Sequence, residues 1–357
     1  MRVRRRAAQL VAVVLMALGL IAVGPASSYA CACGAMIPSD SGARSSGELG
    51  LVQWDGRTET LDLSMVINGR TRDAAWIMPA PKDTRVTLGE KALFDRLKEA
   101  TKPRVEKRYH YGPDFSFGGD GDGAGAGSDA GGAPGAAVSV EGTSTVGPFQ
   151  VTTLSGTDGS AVNSWLTSHG YPARPDLVPS LQSYLDQGWR LYAVKLTPTA
   201  GQLQGELSPL RMTFPAAKPV YPIRLSEHAK DFQSVVVYVA AAHRMDQDLP
   251  TAPRDEAPGV AFARWVDPTL LDPTRSYPSG QRVFLTKTMT HAAPGQIDAD
   301  FTYSRAAADT EYQEVEYVDV DRSWVSELAI AVVGLLVLLG GVGWAVRRGR
   351  GRLRTHS

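Results

Sequence analysis

The sequence is poor in side chains that bind metals. Its 357 residues include two cysteines and six histidines. Two thiolates alone do not make a closed zinc site, which takes four ligands. No two histidines have the spacing of metal ligands on a helix, and the HExxH motif of zinc proteases is absent. The sequence therefore predicts no zinc centre.

Other catalytic and nucleotide-binding motifs are missing as well. There is no GxSxG motif, so a nucleophile elbow is unsupported. A Walker A loop is absent, and no Rossmann fingerprint stands between a strand and a helix. Residues 118–123 resemble a calcium-binding nonapeptide, but the motif occurs once and Gly123 stands where an aspartate is needed. We expect no cofactor and no recognisable catalytic set.

The formal net charge of zero conceals an uneven distribution. Nine arginines lie within residues 1–6 and 347–357, and neither end carries an acid. The rest of the chain has 28 basic and 37 acidic residues. An acidic surface keeps an exported domain soluble, and recruitment of cations or of a basic partner is the alternative. Binding to nucleic acid is not expected, because it requires a clustered basic face.

The N-terminus has the three parts of a signal peptide, which we assign to residues 1–30. Residues 1–6 are strongly positive, and residues 7–23 are apolar. Ser28 and Ala30 place small residues at positions −3 and −1 of a cleavage site, so cleavage follows Ala30. The mature chain then begins at Cys31. An uncleaved signal anchor and a lipid-modified Cys31 are the alternatives.

The C-terminus carries a second apolar segment, from Leu328 to Val346. Its 19 residues are uncharged, and at about 1.5 Å per residue they match the ~30 Å hydrocarbon core of a bilayer. Trp324 and Trp344 lie near its two ends, where interface anchors are found. The arginine-rich tail 347–357 follows, so the positive-inside rule places this tail in the cytoplasm and the bulk of the chain outside.

Two dipeptides predict hairpins early in the mature chain. Strands are expected at 51–54, 58–67 and 72–78, and they are separated by Asp55-Gly56 and Asn68-Gly69. These dipeptides favour tight turns because both central turn residues need positive φ. Two of them in series predict a β-meander.

Three short helices are expected. Thr87 and Glu90 form a capping box before a helix that Pro103 ends. Asp158 can cap a second helix that ends at Gly170. The third helix covers residues 179–187, and Gly188 ends it.

Further strands complete a strand-rich α+β ectodomain. Residues 234–242 form a continuous apolar run, which is typical of a central strand buried on both faces. Other strands are expected at 149–154, 190–196, 211–214, 223–225, 260–266, 283–288 and 314–320. The glycine-rich residues 118–137 indicate a flexible linker or loop between an N-terminal part, 31–117, and a C-terminal part, 138–327.

Several motifs carry a resemblance to a known family. They are the cysteine pair after the signal peptide, AWIMPAP at 75–81, the Leu-Phe-x-x-Leu helix at 93–97, SWL at 164–166 with Gly170-Tyr171, SPLRMTF at 208–214 and YPIRL at 221–225. Over Cys31 to Leu225 the chain resembles a bacterial family of exported proteins known only as domain of unknown function 2330. The resemblance implies export and a shared fold, and it brings no established catalytic residues.

The chemical role of Cys31 and Cys33 has more alternative interpretations than any other feature of the sequence. Oxidation is the default outside the cytoplasm, and an i,i+2 disulfide closes a small, strained ring that is easily reduced. A thiol-exchange role and capture of a soft ion such as copper(I) are alternatives. Pairing with another chain or lipidation are the others.

The remaining candidate residues have structural interpretations. His169 stands at the end of a predicted helix, where a cation is favoured, so we expect a cap. His243 follows the apolar strand and is the best catalytic candidate by position alone. The tryptophans at 54, 76, 165 and 189 lie in predicted elements, so core packing is favoured over a sugar platform.

Together these features predict a single-pass protein of the cell membrane whose ectodomain lies outside. We expect a non-enzymatic binding or envelope-associated interaction domain, with the bilayer and an unknown envelope protein or ligand as partners. The first alternative is thiol-redox or soft-metal handling through Cys31 and Cys33. An unrecognised envelope hydrolase is the second alternative.

Overall fold

A computed structural model describes most of the chain. The described residues are 34–40, 43–110, 139–156, 158–197, 203–229, 232–248, 259–293 and 295–353. The signal peptide with Ala30, the cysteines Cys31 and Cys33, and the glycine-rich residues 118–137 lie outside these ranges.

Strands dominate the described chain. In chain order they are β1 (Ala35–Pro38), β2 (Ala43–Trp54), β3 (Thr58–Thr71), β4 (Ala74–Ala80), β5 (Arg85–Leu88), β6 (Arg104–His110), β7 (Ser139–Val146), β8 (Phe149–Ser155), β9 (Arg190–Leu196), β10 (Leu203–Glu206), β11 (Leu210–Pro215), β12 (Val220–Tyr221), β13 (Gln233–Ala241), β14 (Met245–Gln247), β15 (Gly259–Val266), β16 (Val283–Ala292), β17 (Phe301–Arg305), β18 (Tyr312–Gln313) and β19 (Val315–Asp321). The helices are α1 (Leu93–Ala100), α2 (Ala161–Ser168), α3 (Val178–Asp186) and α4 (Ser323–Leu353). Three short 3-10 helices cover Pro175–Leu177, Arg224–His228 and Pro268–Leu270. The predicted α+β class is confirmed.

The chain divides into two compact units. The first comprises Met1–Ala100 and Gly131–Tyr312, and the second comprises Thr101–Ala130 and Gln313–Ser357. Strands from both sides of the glycine-rich segment share the sheets of the first unit. Its small sheet, for example, joins β1 and β4 to β9, β8 and β7 in that order.

Two sheets of the first unit share one core. The large sheet runs in the order β15, β16, β13, β2, β3, β11 and β5, and β10 also pairs with β3. Side chains from both sheets, among them Trp76, Val194, Leu63 and Val237, belong to a single buried cluster. This shared cluster is the arrangement of a β-sandwich.

Helices cover the outer faces of both sheets. Helices α2 and α3 contribute Trp165, Leu166 and Tyr184 to a cluster on the small sheet. Helix α1 contributes Phe94 and Leu97 to a cluster on the large sheet. Each helix is short and apolar on one side, so it is stabilised mainly by this packing.

The first predicted hairpin is confirmed, and the second is wrong. Strands β2 and β3 pair across Asp55-Gly56, and Gly56 has a φ of 98°. Strand β3, however, continues through Asn68-Gly69 to Thr71. The positive φ of Gly69, 85°, falls where the pairing of β3 with β10 shifts register. The chain then leaves the large sheet, and β4 pairs with β1 and β9 instead.

Two further expectations are corrected. Thr87 lies in β5, so the helix begins at Leu93, and Glu90 pairs with Arg96 instead of completing a capping box. Residues 223–225 are not a strand, because the backbone turns into the 3-10 helix Arg224–His228.

Most other elements appear close to their predicted positions. The apolar run becomes β13, which lies between β2 and β16 and is buried over much of both faces. Helices α2 and α3 have the predicted places, and Asp158 accepts a hydrogen bond from the Ser160 N–H at the start of α2.

The second unit contains a parallel pair and the C-terminal helix. Strand β19, predicted at 314–320, pairs in parallel with β6. Helix α4 follows, with 31 residues. Among the described residues, no helix has both the length and the apolar character that a membrane crossing requires.

Candidate polar cleft

An open cleft lies at one end of the small sheet in the first unit. Its volume is about 270 Å³. The lining residues are Lys82, Asp83, Thr84, Glu141, Gly142, Thr153, Arg190 and Tyr192. They come from the turn between β4 and β5 and from β7, β8 and β9, so the register of three strands assembles the site.

Strand pairing explains why these side chains meet. Arg190 and Tyr192 are two residues apart on β9, so they point to the same face. Thr153 of β8 lies opposite Tyr192, and Gly142 of β7 lies opposite Thr153. The register of β7 shifts between Val140 and Gly142, and such bulges redirect neighbouring side chains.

The turn between β4 and β5 forms another wall. Asp83 has a φ of 67°, and it is the one described residue other than glycine with positive φ. Asp and Asn adopt this left-handed conformation more readily than other side chains do. The Thr84 hydroxyl donates to the Pro81 carbonyl at 2.7 Å, which closes the turn and fixes Lys82 beside the cleft.

Glu141 and Arg190 form the charged centre of the cleft. Nε of Arg190 donates to both Glu141 carboxylate oxygens, at 3.0 and 3.2 Å. A hydrogen bond from the Ser155 hydroxyl is the main cause of a lowered pKa of Glu141, and Arg190 and Lys82 lower it further. Glu141 is therefore an anion at neutral pH, held among cationic and hydroxyl groups.

Tyr192 is the buried residue among those that line the cleft. It is 4% exposed, and its hydroxyl donates to the Thr84 carbonyl at 3.5 Å. Burial is the main cause of its raised pKa, so the phenol stays neutral, and its oxygen can still accept a hydrogen bond.

The cleft can bind a polar molecule, and its described lining has no catalytic pair. Two cations, two acids and three hydroxyl groups surround it. No histidine or cysteine is among these lining residues, so neither hydroxyl of Thr84 and Thr153 has an imidazole base beside it. These charged and hydroxyl groups can hydrogen-bond to a polar ligand and orient it.

His243 lies outside the cleft, on the large-sheet side of the fold. Its Nδ1 is 2.9 Å from Oδ2 of Asp309, and Oδ1 of Asp309 accepts from the Arg244 N–H. The pair is partly exposed and ties the turn after β13 to residue 309. Among the described residues no nucleophile contacts it, and a catalytic role of His243 stays a prediction from the sequence.

His169 has the predicted capping role. Its Nδ1 is 2.8 Å from the Trp165 carbonyl at the end of α2, and its ring stacks on the Trp165 ring at 4.2 Å. The tryptophan is buried, and so is Trp76. Trp54 and Trp189 are partly buried against the core. Core packing is confirmed for all four.

A serine–histidine contact was missed by the sequence analysis. Ser180 Oγ of α3 lies 2.9 Å from His228 Nε2, at the end of the 3-10 helix. Ser180 is 5% exposed and also donates to Glu227 at 3.4 Å. The buried Ser180 hydroxyl links α3 to the 3-10 helix that follows β12. We therefore assign it a structural role. In the described ranges, no group of three or more His, Cys, Asp or Glu could hold a metal.

None of the cleft residues was singled out from the sequence. Glu141 and Arg190 are 49 residues apart, and single-chain patterns do not reveal their contact.

Comparisons with known proteins give one family. The model of a family described as "Uncharacterized protein conserved in bacteria (DUF2330)" matches residues 27–304. This range covers more than half of the chain and includes every residue of the cleft. Neither the search of curated proteins nor the search of solved structures returned a match.

Proposed function

The chain belongs to the DUF2330 family, and we propose that it is an extracytoplasmic binding protein held at the cell membrane by its C-terminal helix. The polar cleft is the binding site for a small hydrophilic ligand. The single observation that carries the proposal is the convergence of Lys82, Arg190 and Tyr192 on one open cavity of about 270 Å³.

Support for export comes from the sequence. A positive start, an apolar run and small residues at Ser28 and Ala30 form a signal peptide. The acidic balance of the remaining chain suits a domain that must stay soluble outside the cell.

Support for the anchor comes from the segment 328–346 and its surroundings. The segment has no charged residue and precedes five arginines. Within α4, the large apolar side chains from Leu335 to Leu339 are all more than half exposed. Apolar groups exposed around a helix favour a lipid environment over water.

The proposal is tested by ligand screening with the full-length protein in detergent. Thermal unfolding is followed with a panel of neutral sugars, sugar acids, amino acids and inorganic phosphate. We expect at least one compound to raise the midpoint of the wild-type protein, and Arg190→Ala to abolish that increase. Arg72→Ala is the matched control, because Arg72 is exposed and pairs with Asp40 instead.

Two results would contradict a binding role for the cleft. One is a panel in which no compound raises the midpoint of the wild-type protein. The other is a compound whose effect is the same in the wild type and in Arg190→Ala.

A second proposed function is thiol-redox or soft-metal handling through Cys31 and Cys33, because two neighbouring thiols suit a soft ion. Gly34 follows Cys33 directly, is buried and has a φ of 115°. A Cβ here would lie 2.3 Å from the Ile77 carbonyl oxygen, so only glycine fits. The position after the cysteine pair is thus fixed against β4. Stoichiometric copper(I) binding that is lost in Cys31→Ser/Cys33→Ser would support this function, and an unchanged phenotype of the double variant would exclude it.

A further inference from the structure

The carboxylate of Glu141 occupies the cationic part of the cleft. Its two oxygens share Nε of Arg190, and Lys82 also contributes to lowering its pKa. On the basis of the binding function proposed above, we propose that the ligand is a hydroxylated carboxylic acid of monosaccharide size, and that its carboxylate replaces Glu141 on Arg190.

Arg190 has the right groups for an incoming carboxylate. Both hydrogen bonds of its side chain to described residues run from Nε, so the two terminal NH2 groups remain available. A guanidinium binds carboxylates through two parallel N–H donors, and it holds them more specifically than a lysine does. Lys82 adds a second positive charge on the facing turn.

The rest of the lining suits hydroxyl groups. Thr153 contributes a hydroxyl that can donate and accept, and the hydroxyl oxygens of Thr84 and Tyr192, whose hydrogens are already donated, can accept from a ligand. The volume of about 270 Å³ lies just below the ~300–1,000 Å³ of pockets for drug-sized molecules. A single sugar acid fits this volume. Its carboxylate and hydroxyl groups match the cationic and hydroxyl groups of the lining.

The position of Glu141 in the sheet allows a ligand to displace its carboxylate from Arg190. It lies on β7, which pairs with β8 and forms the edge of the small sheet within the described part of the chain. The register shift of β7 also falls around it, between Val140 and Gly142. Its side chain is 42% exposed, against 22% for Arg190. An ion pair this exposed contributes little to stability, so a ligand can displace it at small cost.

Calorimetric titration of the full-length protein with glucuronate, glucose and inorganic phosphate tests this inference. We expect glucuronate to bind at least tenfold more tightly than glucose or phosphate. Glu141→Gln removes the internal competitor and should tighten glucuronate binding by up to about fivefold, the range that an exposed pair allows. Arg190→Ala should weaken glucuronate binding more than tenfold, and the double variant should show no gain over it.

The outcomes separate this inference from the binding function. Glucuronate binding that weakens in Glu141→Gln overturns the displacement of Glu141, because the carboxylate would then be a ligand contact. Equal affinity for glucose and glucuronate, with both lost in Arg190→Ala, overturns the acid ligand but keeps the cleft as a binding site. If phosphate binds as tightly as glucuronate, the cleft is a general anion site and the inference is overturned. If none of the three compounds binds, the inference fails, and the wider ligand panel decides the binding function.

Discussion

Arg190 and Glu141 form an ion pair that reaches across an entire strand. Nε of Arg190 on β9 lies 3.0 Å from one carboxylate oxygen of Glu141 on β7, and β8 runs between these two strands. The pair joins the edge of the small sheet to its interior and bounds the polar cleft. Because both side chains are partly exposed, the contact contributes little to stability.

A second arginine pair should behave differently. Nε and Nη2 of Arg211 donate to the two oxygens of Asp62, at 2.8 and 3.1 Å, and Asp62 is fully buried. Arg211→Ala leaves a buried carboxyl without its cation and should lower the free energy of unfolding by about 3–5 kcal/mol. Arg190→Ala is the control and should cost about 0–1 kcal/mol. Urea unfolding of the full-length protein measures both, and equal losses would contradict the distinction.

Gly50 should tolerate no larger side chain. A Cβ on Gly50 would lie 2.1 Å from Cε2 of Tyr221. The ring cannot move freely, because its hydroxyl donates to the buried Glu48 at 2.6 Å. Gly50→Ala should therefore destabilise the protein by about 1–3 kcal/mol or more. Gly47→Ala on the same strand is the control, since its Cβ meets only the Ser234 carbonyl at 3.6 Å. If Gly50→Ala and Gly47→Ala have the same thermal midpoint, the core around Tyr221 accommodates the added methyl group and the prediction is wrong.

Glu59 should make stability depend on pH. Burial raises its pKa well above the ordinary value of 4.5, although the Val220 N–H donates to it at 2.9 Å. Its contribution is complete below the ordinary carboxyl pKa and is lost as pH rises towards and through the raised pKa of the folded state. Wild type should thus lose stability relative to Glu59→Gln as pH increases from about 4.5.

Denaturant unfolding between acidic and neutral pH measures that difference. The variant Asp298→Asn makes the same chemical change at an exposed carboxyl and is the control. A difference between wild type and Glu59→Gln that stays constant over the pH range would show that Glu59 does not carry the effect.

Processing should leave Cys31 as the first residue. Protein extracted from membranes should have the mass of a chain that begins after Ala30, because Ser28 and Ala30 fit the cleavage site. If the cysteines are paired, alkylation should occur only after reduction. Intact-mass spectrometry reads both properties together. The mass of the uncleaved chain, or an added lipid mass, would refute this processing.

Short-range sequence patterns predicted most helices and strands of the fold. They did not predict which strand pairs with which. Asp55-Gly56 and Asn68-Gly69 carry the same local turn signal, yet only the first makes a hairpin. Strand β4 finds its partner in β9, more than 100 residues further along the chain. Which strand pairs with which depends on how apolar faces are buried together, and local turn chemistry does not contain that information.

The cleft was hidden for the same reason. Glu141 and Arg190 are ordinary surface residues in the sequence, and the register of β7, β8 and β9 brings them together. The pairing of β4 with β9 places the turn that carries Lys82 beside them. His243 stood out by position, but its partner Asp309 was not foreseeable. Family resemblance, in contrast, was readable from strand-end motifs and is confirmed by the match to residues 27–304.

The most direct test of an open cleft outside the cell is labelling of single cysteines. Lys82→Cys and Ser357→Cys are each made in a Cys31→Ser/Cys33→Ser background, and spheroplasts are treated with a maleimide that cannot cross membranes. Lys82 lines the cleft and is exposed, so Lys82→Cys should react while the cytoplasmic membrane is intact. Ser357→Cys should react only after lysis. Labelling of Ser357→Cys in intact spheroplasts, with Lys82→Cys protected until lysis, would contradict the account.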